Sequence, residues 1–392
     1  MQATYTNGTH RLISPKETLT RIQPHLQACG ITRLAEISGL DVNMGIPTFS
    51  AIRPSGLLLQ TANGKGLTAD NAKVSALMEA IEFFHAEQPQ ANALRYTSYQ
   101  ELKETQQTVI HPDQLGNRAA TYFSEKYRLA WTKGENLQTG DAVWLPASAA
   151  YFCEPTLYHT TTNGLASGNH LLEATLHGLY ELIERHVVST LDVNGRLQIQ
   201  QQCQIIDPGT IAHPRLQQVI QAIMTNSNKL ILLWIKNEFL VPTVAAFLLN
   251  LNPHSAIATF NSGYGAHLDP LVAASRAITE AVQSRLTMIQ GAREDIMTQP
   301  VFRQQYTQSS AAYQYFMALE PTAAWDEVAS TGHSEWDLRN RVNLQTCYNH
   351  LVATLKKIGH KTIFRVQLTQ PRFNIPVVKV IIPSLKFNRA LF

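Results

Sequence analysis

Cysteine is scarce in this chain: four among 392 residues, at Cys29, Cys153, Cys203 and Cys347, with no CxxC pair. Such spacing argues against both a disulfide framework and a cysteine zinc site, and leaves the four as buried thiols. Charge is also sparse. Only 16% of residues are charged, Lys plus Arg exceeds Asp plus Glu by three, and no run of five like charges occurs. A nucleic-acid or anionic-lipid footprint is therefore not expected. The longest apolar stretch, "FLVPTVAAFLLNL", is short for a membrane span and carries Pro242, and "MQATYTNGTHRL" lacks the apolar core of a signal peptide. A soluble, cytoplasmic protein is expected, in which the sequon at Asn7 has no meaning. GxxxxGK[ST], GxSxG and HExxH are all missing, which removes the P-loop, the hydrolase elbow and the zincin helix from consideration.

What is present is a 44% apolar composition, enough for a large core in one domain or two intimately joined ones. Leu19, Ile22 and Leu26 space a helix from Thr18 to Cys29, with Gly30 to end it and Pro24 to disturb it. "GIPTFSAIRP" and "GLLLQTANGKG" read as strands around a Pro54-Ser55-Gly56 turn, followed by a helix from Ala69 to Glu87 that Pro89 stops. Residues 90 to 160 say little beyond a strand at "AVWLPASAAYF". Then come the helix of "EATLHGLYELIERH", strands at "KLILLWIKN", "PTVAAFLLN" and "AIATFNSGYG", and a helix from Pro270 to Gln290. A helix at "VNLQTCYNHLVATLKKIG" and a strand pair, "IFRVQL" and "PVVKVII", close the chain. Strands and helices interleave without a strict βαβ rhythm, so the expected class is α+β, with mixed sheets flanked by helices.

Two helices carry an unusual stripe. At about 100° per residue, Glu173, Glu181 and Glu184 fall within roughly 80° of one another, with Asn169 one turn earlier on that side. Ser75, Glu79 and Glu82 share a side of the earlier helix, and "EAIE" and "ELIE" echo each other, a hint of internal duplication. Most glutamates are simply solvated. A solvated stripe usually finds Lys or Arg at i+4, yet Glu79 meets Phe83, Glu82 meets Ala86, Glu173 meets His177 and Glu184 meets Val188; only Glu181 meets a base, Arg185. Gathered carboxylates repel one another, and a hard divalent cation with oxygen ligands relieves them. Magnesium carrying phosphates fits, with Arg185, Lys65, Arg276, Arg285 and Arg293 as candidate phosphate bases; for each taken singly, a structural ion pair is an equal alternative.

The segments "NGKGLTADNAKVSALMEAIEFF", "NGLASGNHLLEATLHGLYELIER" and "GYGAHLDPLVAASRAITEAVQSRLTMIQGARED", in that order, resemble the YcaO family, and the resemblance extends over essentially the whole chain. It implies residues 1–59 as a lead-in to an ATP-binding catalytic domain over 60–392, and a nucleotide site without a Walker motif. By that resemblance Glu79, Glu82, Glu181 and Glu184 bind Mg2+, while Arg11, Thr18, Ser75, Asn169, Glu173, Arg185 and Arg276 contact ATP. Phe83 departs from the family's usual arginine. The implied reaction is ATP-dependent activation of a peptide backbone amide: a nucleophile adds to the carbonyl, the oxyanion is phosphorylated, and phosphate leaves. Sulfide gives a thioamide, a side chain an azoline, a backbone amide an amidine. The "MEAIEFFHAEQP" form and the ending "SLKFNRALF", which lacks a proline-rich tail, favour thioamide formation over cyclodehydration, with a TfuA-like partner presenting a peptide or protein substrate. A homodimer stays open, and so does a role as an ATP-binding accessory factor to methylthiolation of a ribosomal protein.

Overall fold

The computed structural model describes residues 1–5, 8–116, 123–159, 161–193, 196–252, 259–294, 310–330 and 341–388. Its helices are α1 (Pro15–Ile22), α2 (Ala69–Glu87), α3 (Tyr99–Lys103), α4 (Leu171–Leu191), α5 (Ile199–Gln202), α6 (Pro214–Thr225) and α7 (Pro270–Gln290), followed by Ala311–Met317, Trp325–Ala329 and Leu344–Lys357. Among these residues no helix is long and apolar enough to cross a membrane.

Local chemistry fixes most helix ends. Thr68 accepts from the Asn71 N–H at the start of α2, and Asp269 accepts from the Leu271 N–H at the start of α7, whose first residue is Pro270. The expected helix from Thr18 to Cys29 is shorter and earlier. It begins at Pro15, where Ser14 and Glu17 form a capping box, and Gln23–His25 tightens into a 3₁₀ turn because Pro24 cannot donate to the helical ladder.

Among the described residues, four sheets and one two-stranded ribbon build the body. A small one places β1 (Gln2–Tyr5) between β2 (His10–Arg11) and β16 (Arg341–Asn343). A second runs β3 (Arg33–Glu36), β4 (Thr48–Ile52), β5 (Thr61–Lys65), all antiparallel. The six-stranded sheet has β7 (Arg128–Asn136) between β6 (Leu94–Ser98) and β17 (Phe364–Gln367), continues through β18 (Val377–Ile381) to β9 (Leu165–Ser167), and carries β8 (Ala142–Pro146) on β7. The long β7 was not anticipated. A two-stranded ribbon, β10 (Asp192–Val193) and β11 (Arg196–Leu197), leads to the antiparallel sheet β12 (Cys203–Ile206), β13 (Asn228–Ile235), β14 (Thr243–Asn250), β15 (Phe260–Ala266).

On β13, Ile231, Leu233 and Ile235 enter one core with α4 and the Leu344–Lys357 helix, while Leu230, Leu232 and Trp234 enter another with α6 and α7. Both faces are covered, so the strand reads as a continuous apolar run rather than an alternation. A third core fills the space between α2, the β3–β5 sheet and the six-stranded sheet.

Three strands lead directly into three long helices: β5 into α2, β9 into α4, and β15 into α7. All three joints depend on glycine, the β9–α4 joint through Gly168, where a Cβ would lie 2.7 Å from the Ala174 nitrogen. A Cβ on Gly64 would lie 2.0 Å from the Ala76 nitrogen of α2, and one on Gly263 would lie 2.3 Å from the Ala281 nitrogen of α7. Glycine on the strand and alanine on the helix permit backbone contact that no larger pair allows. This close seating sets where each helix presents its polar face.

Candidate nucleotide site

The polar faces of α2, α4 and α7 converge on one cleft of ≈2360 Å³. It is lined by Ser75, Glu79 and Glu82 from α2, by Glu173, Glu181, Glu184 and Arg185 from α4, and by Arg276 and Glu280 from α7. Arg11 of β2, Thr18 of α1, Lys65 of β5 and Asn169 complete the polar lining on the lead-in side, and Lys379 of β18 lies in the same wall as Glu181 and Arg185.

Glu82, Glu173, Glu181 and Glu184 are each anchored. Glu181 accepts from the Gly164 N–H at 2.7 Å and pairs with Arg185 Nη2 at 2.9 Å, while Arg185 Nη1 donates to Asn163 Oδ1 at 2.7 Å. Glu184 accepts from the Ala266 N–H at 3.0 Å, and Glu82 accepts from Ser167 Oγ at 2.5 Å. Glu173 is 3% exposed and holds the lead-in: it accepts from the backbone N–H groups of Leu12 (3.1 Å) and Asn169 (3.3 Å), with Arg11 Nη1 3.7 Å away. Asn169 does not extend the helical stripe. It sits in the turn before α4 and donates from Nδ2 to Thr18 Oγ1 at 3.0 Å.

These carboxylates are not a solvated stripe. Burial, reinforced by Glu79 and Glu181, pushes Glu82 up to about 8 against the pull of the Ser167 hydroxyl. Burial and the neighbouring Glu280 raise Glu184 as well, with Arg185 and Arg276 opposing. On the cationic side, burial draws Lys379 down to about 7. Burial followed by the charges of Arg276 and Arg11 holds His177 neutral.

The site departs from the sequence reading in several places. Arg285 is not in the cleft: it is buried and bonded to Asp41, Nη2 to Oδ1 at 3.2 Å. Arg276 and Arg285 are nine positions apart, half a turn in the angular sense, so one helix cannot aim both at the same place. Lys65 is in the cleft but bonded to Glu280 Oε2 at 2.7 Å. Arg293 also lines it. Phe83, 3% exposed, lies beside Phe152 with ring centroids 6.3 Å apart, and its apolar ring offers no phosphate contact. Two cleft residues escaped the motif reading. Glu280 stands four positions after Arg276 on one helical face, a visible signal; Lys379 is a charged residue inside the apolar run "PVVKVII", a weaker one.

Does this lining suit magnesium? Among the described residues no group of three or more His, Cys, Asp or Glu side chains converges as a metal cage. Mg2+ commonly takes one or two carboxylates and completes its shell with water and phosphate oxygens. Glu79, Glu82, Glu181 and Glu184 offer such oxygens from two helices, and Glu82 and Glu184 are raised by burial first and by neighbouring carboxylates second, a repulsion that a divalent cation would relieve. The residues fit the ion.

Fold and cleft together describe an α+β protein in which three long helices bring glutamates and arginines to one cleft, with no glycine-rich phosphate loop in the sequence. The chain belongs to the YcaO family: the family model described as YcaO cyclodehydratase, ATP- and Mg2+-binding, matches residues 63–386. ATP and Mg2+ are thus the cofactors of the family. A protein of Mycobacterium tuberculosis is 37% identical over 297 residues, 74% of this chain; the chain spans 64% of that relative's length. A Rhizobium leguminosarum bv. trifolii protein named as lying in the tfuA 3' region is 30% identical over 96% of this chain and 89% of its own. Among solved structures, YcaO from Methanopyrus kandleri bound with AMPPCP and Mg2+ shares the fold, with a TM-score of 0.77, 22% identity and coverage of 98% and 94% of the two chains. A heterocyclase in complex with substrate and cofactor shares it with a TM-score of 0.78 over 98% of this chain and 54% of that one, also at 22% identity.

Proposed function

We propose that this chain uses ATP to activate a backbone amide of a peptide or protein, and that the product is a thioamide. The observation that carries the reading is the meeting of Glu79, Glu82, Glu181 and Glu184 in one cleft beside Arg185 and Arg276, in a member of an ATP- and Mg2+-binding cyclodehydratase family. The first four hold Mg2+; Arg11, Thr18, Ser75, Asn169, Glu173, Arg185 and Arg276 form the nucleotide side. Bound there, the ion supplies charge neutralisation for phosphoryl transfer.

The chain's own residues prepare that chemistry. Backbone N–H groups of Gly164 and Ala266 orient Glu181 and Glu184, as outer hydrogen bonds orient metal ligands generally. Glu173 ties the Arg11 segment onto α4, so the lead-in closes one side of the cleft. The neutral His177 keeps a further positive charge away from the two arginines.

Thioamide formation rather than azoline formation is supported by the relative in the tfuA 3' region, which matches the chain almost end to end. A TfuA-like protein is accordingly the proposed partner. The test is a reaction with ATP, MgCl2, sodium sulfide and a pool of short randomised peptides, read by intact mass. Exchange of oxygen for sulfur, dependent on ATP, supports the reading; loss of water assigns an azoline instead, and ATP turnover without any altered peptide assigns an accessory role.

A further inference from the structure

Lys379 is a cation that neither the metal side nor the nucleotide side just described employs. It lies in the interior of the six-stranded sheet, paired with Val366 on β17 and Leu165 on β9, and is 3% exposed. Burying an ammonium is costly unless its donors are satisfied or its charge has work to do. Its Nζ donates to the Thr161 carbonyl at 2.6 Å, and among the described residues no carboxylate comes within ion-pair distance of it. An ammonium has three donors, and among the described residues only the Thr161 carbonyl takes one of them, on a side chain that lines the cleft.

The location is specific. Thr161 belongs to the loop whose Asn163 accepts from Arg185 and whose Gly164 donates to Glu181. Lys379 therefore stands by the Glu181 end of α4, roughly 12 Å along the helix axis from Glu173 and the lead-in. That is the end where the proposed metal ligands gather.

We infer that Lys379 is a catalytic residue on the acceptor side of the cleft, its ammonium donating to the carbonyl oxygen of the peptide amide as that oxygen gains negative charge. The inference rests on the amide-activation reading above. As the nucleophile bonds the carbonyl carbon, the π pair moves to oxygen; that oxygen then bonds phosphorus as the bond to the ADP leaving group breaks. Lys379 keeps its proton throughout; because burial draws it down to about 7, the donating ammonium is the form present at pH 6.5, where the variants are compared. A fixed donor in a partly dry site stabilises a developing oxyanion well, and removing one such donor costs on the order of 10²–10³-fold in kcat.

The experiment compares wild type with Lys379→Met, Lys379→Gln and Lys379→Arg, using ATP, MgCl2, sodium sulfide and the randomised peptide pool. ADP release and peptide mass are read together, and Mg–ATP affinity is measured by calorimetry. The expected result is a loss on the order of 10²-fold or more in kcat for Lys379→Met, with KM for peptide and affinity for Mg–ATP within about threefold of wild type, and recovery of at least about tenfold in Lys379→Arg. If Lys379→Met does not fold, Lys379→Gln, which retains a donor to the Thr161 carbonyl without the charge, is judged by the same numbers. A variant with kcat within about threefold of wild type overturns the inference, and so does a loss confined to Mg–ATP affinity. Wild type that binds Mg–ATP yet alters no peptide removes the amide-activation reading and this inference together.

Discussion

Glu82 makes the proposed metal site measurable without any substrate. Its carboxyl is ionised above about pH 4.5 in an unfolded chain but holds its proton up to about pH 8 in the fold. Between those values the native state binds the additional proton, so stability falls as pH rises through the window and the loss is complete above the folded value. A shift of roughly 3.5 units corresponds to about 5 kcal/mol; water entering the cleft reduces this to about 2 kcal/mol. For a chain of ~390 residues the unfolding entropy makes that a change of about 2–3 °C in Tm. Thermal unfolding with EDTA between pH 5.5 and 8.5 should therefore show wild type losing about 2–3 °C more than Glu82→Gln. Mg2+ prefers the ionised wall, so added MgCl2 should stabilise wild type more at pH 8 than at pH 6, with apparent affinity rising by up to about tenfold per pH unit. Superimposable pH profiles for wild type and Glu82→Gln, or Mg2+ stabilisation that does not change with pH, would refute the argument that Glu82 is a buried, repelled carboxylate of a metal site.

Glu181→Gln and Glu184→Gln should each weaken Mg–ATP by about tenfold or more in calorimetry while circular dichroism is unchanged; intact affinity in both removes the metal assignment. Arg285→Ala leaves Asp41 buried without its partner and should lower stability by about 3–5 kcal/mol, or about 4–6 °C in Tm, with Mg–ATP affinity of the folded protein unaltered. The reverse pattern would put Arg285 back in the cleft. Gly263→Ala drives a methyl group into the α7 backbone and should cost about 3 kcal/mol or more together with nucleotide binding, both checked by melting in the presence and absence of ATP; an unaffected melt contradicts the close seating of β15 on α7.

The elements that the sequence announced are those with strong local punctuation. Thr68 and Pro89 bracket α2, and Asp269, Pro270 and Gly291 bracket α7, so both appear at the anticipated bounds. Strands β13 and β14 stood out because a strand covered on both faces is apolar throughout. Strand β7, "RLAWTKGEN", is buried only in its first half and turns polar before it ends, which masks it. In the site, helical period alone placed the glutamates of α2 and α4 on shared faces. The partner of Glu173 on α4 was invisible, because Arg11 reaches it across more than a hundred residues of chain, just as Lys65 reaches Glu280 of α7. Local i+4 counting therefore overstated the bare charge. Lys379 was hidden for a related reason: a lone lysine in an apolar strand looks the same whether it snorkels to water or points into a cleft.

The family signature begins at residue 63, yet Arg11 and Thr18 lie upstream of it, and among the described residues β5 pairs only with β4, at residues 48–52. A fragment trimmed to that span would still be recognised as a relative while lacking a flank of the binding cleft, and Glu173 would face empty space where the Leu12 amide had been. The stretch matched by the family model is thus shorter than the stretch that lines the cleft, and expression of this protein should be planned around the latter.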